Sequence, residues 1–263
     1  FIHHKEEKFI MKLKKIASLA LAGVMAVSML AGCNTVSNNP QPTPPNSGVG
    51  NTVTGGKSSV FEAALSDRAD LKIDMQDSAE LSSALEAAAQ NVGSATIIDF
   101  TTAIRSANAT GVSSARTVAT FDQSGQVYLT SPFGTPTGVL APDLGVVATR
   151  MDASTITNSF NTLIPTYNTN EDDDSETVTM LFAVDGAVGD DAAVERVAEV
   201  LDSRIRALQI DNDTVGNNGA NDDLTSLHYD YTGSASITTR TLADAHGISM
   251  HIVAVQITRT AKV

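Results

Sequence analysis

The chain has 263 residues with 17 basic and 30 acidic side chains, a net charge of −13 at pH 7. That balance argues against nucleic acid and anionic head groups as partners and leaves cations or a basic protein, although acidity of this kind also simply keeps a domain soluble. A single cysteine excludes an internal disulfide, and the lack of Trp with only 4 Tyr and 8 Phe argues against a cleft that stacks rings on sugars.

From Met11 the chain reads as a secretory leader. Lys12, Lys14 and Lys15 form a basic start, and an apolar stretch runs from Ile16 to Leu30. This stretch is roughly 15 residues, short of the ~20 needed for a permanent membrane-crossing helix. Residues 1–10, rich in Lys, Glu and His, read as translated sequence ahead of the better start at Met11. The stretch ends in Leu30-Ala31-Gly32-Cys33, which resembles the lipobox of bacterial lipoproteins. The resemblance covers the leader only. It implies cleavage before Cys33, a lipid thioether on Cys33, and a membrane anchor on the outer face of the cell membrane. Asn34, by resemblance to outer-membrane lipoproteins, permits onward export in a two-membrane cell. Removing residues 1–32 leaves 12 basic and 28 acidic side chains, a net charge of −16.

Residues 34–59 are almost all Asn, Pro, Thr, Ser and Gly, a composition that cannot offset the entropy of ordering, and they are expected to be a flexible tether with the globular domain starting at 60. As a coil they would span roughly 25–30 Å. Leu71, Ile73 and Met75 alternate like a strand, and Leu81, Ala84, Leu85, Ala88 and Val92 then fall at helical spacing, predicting a helix over 78–91. Asp77 with Glu80 resembles a capping box at its start. Ile97, Ile98 and Phe100 suggest a strand. Residues 117–121 and 126–130 flank Asp122-Gln123-Ser124-Gly125, which predicts a hairpin.

Residues 131–145 carry three Pro and three Gly, predicting an irregular loop before a short strand at 146–150. Asp152 then caps a helix with Ile156, Phe160, Leu163 and Ile164 on one face, ended by Pro165. After the acidic stretch 168–176, the only plausible place for a second domain boundary, Val178–Val184 is a nearly unbroken apolar run and predicts a strand covered on both faces. Asp190 or Asp191 begins the most regular helix, with Val194, Val197, Ala198, Leu201, Ile205 and Leu208 on one side. Asp202 and Arg206 stand at i,i+4 on this helix and should pair modestly. Strands are expected at 224–232, 235–242 and 248–260, with turns at 232–234 and 245–247, and Ile252–Ile257 as a central strand. The sum is an α+β fold: a mixed sheet with three helices behind a disordered N-terminal tether.

Three constellations offer chemistry. Asp211-Asn212-Asp213-Thr214-Val215-Gly216, with Asp222 at the twelfth position, resembles an EF-hand calcium loop at positions one, three and six. It departs where Val215 offers no side-chain oxygen and where Asp222 is shorter than the usual Glu, so an Asn- and Gly-rich surface turn is the competing reading. The run Glu171-Asp172-Asp173-Asp174 is better read as a solvated loop. His228 with Asp230, or His246 and His251, could serve as ligands or as a base with its orienting carboxylate, against a plainer role as surface or edge side chains. The mature chain has no G-x-S-x-G, Walker loop, G-x-G-x-x-G, H-E-x-x-H or C-x-x-C. The expectation is a non-enzymatic surface lipoprotein that binds or supports other envelope components, anchored through Cys33, with no catalytic residues and no resident cofactor beyond possible calcium. The alternatives are a solute-binding lipoprotein of an importer and an envelope hydrolase.

Overall fold

The apolar run from Val178 to Val184 has side chains to bury in both directions, and the fold is built around it. The computed structural model describes residues 49–109, 118–130, 138–165, 175–212, 227–242 and 248–262, all within one unit of the chain, Asn46–Val263. In chain order these residues form β1 (Val49–Gly56), α1 (Ser58–Ala64), α2 (Asp67–Asp70), β2 (Asp74–Met75), α3 (Ala79–Ala89), α4 (Ser94–Ala109), β3 (Val118–Phe121), β4 (Gln126–Thr130) and β5 (Gly138–Leu140). They continue with α5 (Pro142–Arg150), α6 (Ile156–Thr162), β6 (Ser175–Asp185), α7 (Asp190–Arg206), β7 (Asp211–Asn212), β8 (Leu227–Leu242) and β9 (Ser249–Lys262).

Seven strands form one antiparallel sheet in the order β1-β8-β9-β6-β3-β4-β5. β9 lies inside the sheet, next to the central β6, paired with β8 on one side and with β6 on the other, from Ser175 opposite Thr260 to Asp185 opposite Met250. Because β9 occupies one edge of β8, the other edge is covered in succession by β1, β2 and β7. Only the short β2 runs parallel to its neighbour.

Alternation along the central strands divides the interior into two layers. Val178, Met180, Phe182 and Val184 of β6 and Val253, Val255 and Ile257 of β9 pack against α1, α2, α6 and α7. Leu181, Ala183, Ile252 and Ala254 point the opposite way, against α3, α4 and α5. The fold is therefore α+β with seven helices among the described residues, where sequence periodicity predicted three. β3 bonds to β6, so elements before and after the acidic stretch share one sheet, and a boundary near 168–176 does not divide it.

Several local expectations are corrected by the packing. Residues 49–56, expected to be tether, pair with β8, and Lys57 N–H donates to Ala235 O at 2.8 Å; the backbone bonds of a sheet edge outweigh the low apolar content. Residues 94–109 are helical, not a strand around 97–100, because Ile97, Phe100 and Ile104 share a buried face while Ile98 is 44% exposed. Residues 146–150 belong to α5, entered at Pro142, the first helical position, where a missing N–H costs nothing. The expected turn at 232–234 is continuous β8, where Gly233 leaves room for the side-chain ends of Met75 and Ile73. Leu71, expected inside, is 68% exposed.

The capping residues also differ from expectation. Ser78 Oγ, not Asp77, accepts from Leu81 N–H at 3.1 Å at the start of α3. Asp77 instead accepts from Ser58 N–H at 2.9 Å at the start of α1. Thr155 caps α6 in place of Asp152, accepting from Asn158 N–H at 3.3 Å. Gly189 precedes α7, placing Asp190 and Asp191 in its first turn and Arg204 and Arg206 in its last, each sign favourable to the helix dipole. Asp202 accepts from Ser66 N–H at 2.8 Å, and its carboxyl is held below its ordinary value mainly by hydrogen bonding to Ser66, helped by the charge of Arg206.

Tyr231 of β8 gives a pH-dependent test of the layer under α7. Its hydroxyl donates to Gln209 O at 2.8 Å, and burial pushes its pKa up to about 12 from 10.0. The folded state thus holds the phenolic proton more tightly than the unfolded chain. The resulting stabilisation is complete below pH 10 and is lost as pH rises toward about 12. Tyr231→Phe is expected to cost about 1 kcal/mol at neutral pH and to flatten the alkaline decline in stability, measured by urea unfolding across that range.

Candidate functional site

The structure distributes the sequence-predicted residues widely. Cys33, Asp213, Asp222 and His246 lie outside the described residues, as does the run Glu171–Asp174. Asp211, the first position of the calcium-like loop, lies in β7 with its backbone paired to His228. His228 and Asp230 share a face of β8, as the spacing implied, with Nε2 3.7 Å from Oδ1 and both side chains about half exposed. Among the described residues no group of three or more His, Cys, Asp or Glu is placed to hold a metal ion.

His251 is not at the surface. It lies in β9, 3% exposed, where its side chain reaches the loop before α7. Nε2 is 2.8 Å from Val188 O, and a carbonyl can only accept, so this nitrogen carries a proton. Nδ1 lies 2.8 Å from Thr239 Oγ1 and 3.4 Å from Asp190 Oδ1. Thr239 and Asp190 therefore address the same ring nitrogen and the other is spent on backbone. A nucleophile–base–carboxylate relay requires opposite nitrogens. His251 here fastens β9 and β8 to the start of α7.

Two buried arginines have the same structural character. Arg259 of β9 donates to Leu163 O at 3.1 Å and lies over the Tyr229 ring at 5.4 Å from its centroid. Arg240 of β8 donates to Gln90 O at 3.3 Å and Val92 O at 3.4 Å, past the end of α3. Each thus satisfies carbonyls left over at the C-terminal end of a helix.

A partly sheltered apolar space lies elsewhere, between α4 and the β4–β5 edge of the sheet. A cavity of about 250 Å³ is walled by Phe100 and Ala103 of α4, Val127 of β4, Leu140 of β5 and Pro142 of α5. Its frame is set by two contacts. Asp143, in the first turn of α5, accepts at Oδ2 from Gly93 N–H at 3.0 Å and from Thr96 Oγ1 at 2.9 Å, which ties the starts of α4 and α5 together. Beneath them, Gly145 of α5 meets the hairpin turn so closely that a Cβ on it would lie 2.8 Å from Gly125 N. Gly125 itself has φ +76, the left-handed conformation this hairpin turn requires.

Asp99 and Asp143 both line the cavity, and among the described residues no Lys, Arg or His does. Leu140 at its edge is 62% exposed. These residues were not singled out from sequence: helical spacing at 97, 100 and 104 was the available signal for α4, but nothing local announces that this helix faces residues 127 and 140–143. No protein-family model matches the chain, and no match is found among curated proteins or solved structures.

Proposed function

We propose that the protein is a non-enzymatic binding protein held by lipid on Cys33 to the outer face of a bacterial membrane, its acidic domain carried on the linker before β1. The observation that supports binding over catalysis is the assignment of the buried ionisable side chains. His251, Arg240 and Arg259 each hold strand to loop or strand to helix, while the cavity beside α4 is apolar with carboxylates among its lining. That cavity also favours capture of a small ligand, in the manner of a solute-binding lipoprotein, as the form the binding takes. The anchor rests on the lysine-rich start, the apolar stretch and Leu30-Ala31-Gly32-Cys33. The negative charge left after cleavage favours cations or a basic envelope protein as partner and disfavours nucleic acid.

In a bacterium with lipoprotein-processing enzymes, the chain is expected to incorporate labelled fatty acid and to sediment with membranes. Cys33→Ser is expected to abolish the label and to leave the protein unprocessed or in the soluble fraction. Undiminished lipid labelling of the Cys33→Ser chain would sink the anchor.

A further inference from the structure

We propose that the cavity between α4 and the β4–β5 edge binds a small organic monoamine, with one ring or a short branched chain inside and the protonated amino group at the carboxylates. The proposal deepens the binding reading and does not depend on the lipid anchor.

Size sets the first limit. Pockets for drug-sized ligands run from about 300 to 1,000 Å³, and an apolar cavity of about 150 Å³ accommodates benzene. At about 250 Å³ the space suits one ring with a short chain and is too small for a folded peptide segment or a disaccharide. The walls set the second. Phe100, Val127 and Pro142 offer no hydrogen bonds from their side chains, so the body of the ligand must be apolar, and the exposed Leu140 gives it further area to cover.

Charge sets the third. Asp143 Oδ2 is occupied by Gly93 and Thr96, but Oδ1 has no partner among the described residues, and Asp99 has neither an ion pair nor a hydrogen bond among them. Thr96 spends its hydroxyl proton on Asp143. Among the described residues, exposed Asp99 and half-buried Asp143 line the cavity with no cation beside them, a local negative charge that an ammonium group would neutralise. The same excess disfavours carboxylic acids, phosphates and zwitterionic amino acids, whose own carboxylate would enter the same field. An inorganic cation would answer the charge but would leave the apolar volume unfilled.

The test is calorimetric titration of the purified full chain carrying Cys33→Ser, with phenethylamine as probe and phenylacetate as its anionic counterpart. Saturable binding of phenethylamine and none of phenylacetate is expected. Asp99→Asn, on the exposed side of α4, should weaken phenethylamine about fivefold, the loss of roughly one partly exposed ion pair, without changing the melting temperature. Ala103→Leu should fill the cavity and abolish binding, with an unchanged circular dichroism spectrum establishing that the fold is retained. Absence of saturable phenethylamine binding, equal binding of phenylacetate, or affinity unaffected by Asp99→Asn would each overturn the proposal. Because the titrated chain lacks the lipidation thiol, failure here leaves the labelling experiment on Cys33 unaffected, and failure there leaves amine binding standing.

Discussion

Replacing Arg259 with Ala is expected to destabilise the domain by about 3–5 kcal/mol, combining the loss of charged hydrogen bonds with the cavity left by the side chain. Arg259 is only 1% exposed, bonds to the carbonyl of Leu163 at 3.1 Å and stacks over Tyr229. Arg259→Met keeps most of the stem volume and should lose about 1.5–3 kcal/mol, the contribution of a charged donor to buried carbonyls. Arg240 provides the contrast. It is 4% exposed, its two bonds are long at 3.3 and 3.4 Å, and burial lowers its pKa. Burial of a cation so weakly compensated contributes little, so Arg240→Met should fall within about 1 kcal/mol of the parent on either side. Denaturant midpoints at constant m-value would measure both, and equal losses at the two positions would contradict the distinction.

The second large effect concerns neighbouring residues of β6 that point in opposite directions. Phe182→Ala should cost about 3–5 kcal/mol and Leu181→Ala about 2–5 kcal/mol, because Phe182 is enclosed under α7 and Leu181 on the other side of the sheet, with exposures of 0% and 1%. In a sheet with one wet face, one of the pair would be nearly neutral. Thermal or urea unfolding of the two variants therefore tests directly that helices close both faces. A loss below about 1 kcal/mol at either position would be incompatible with this packing.

The parts of the fold that were legible in the sequence are those in which burial and local preference agree over a long window. Val178–Val184 and Ile252–Ile257 announce central strands because both of their faces must be apolar, and 190–206 announces α7 because its apolar positions repeat over nearly five turns. The hairpin at 122–125 is carried by Gly125 and by Asp122, whose Oδ1 accepts from Ser124 N–H at 2.9 Å. Local pattern misleads where its window is short. Ile97, Ile98 and Phe100 looked like a strand until Ile104 extended the spacing to a helix, and Val146-Val147 suggested a strand inside α5. Gly233 read as a turn because glycine usually punctuates; here it makes room for Met75 and Ile73, which come from more than 150 residues earlier in the chain. The cavity was illegible for the same reason, since its walls come from three separate segments and no local pattern encodes their meeting.

The order of the sheet has a consequence for how the chain is made. β9, interior to the sheet, follows β1, β6 and β8 in the chain and so leaves the ribosome after the strands it joins. Until it emerges, β8 and β6 lack the partner that joins them, and β1 has at most a fragment on which to dock. The layers therefore cannot close progressively behind the growing N-terminus; closure waits for residues 249–262. Assembly of this sheet therefore turns on one long-range step, the seating of β9 between β6 and β8.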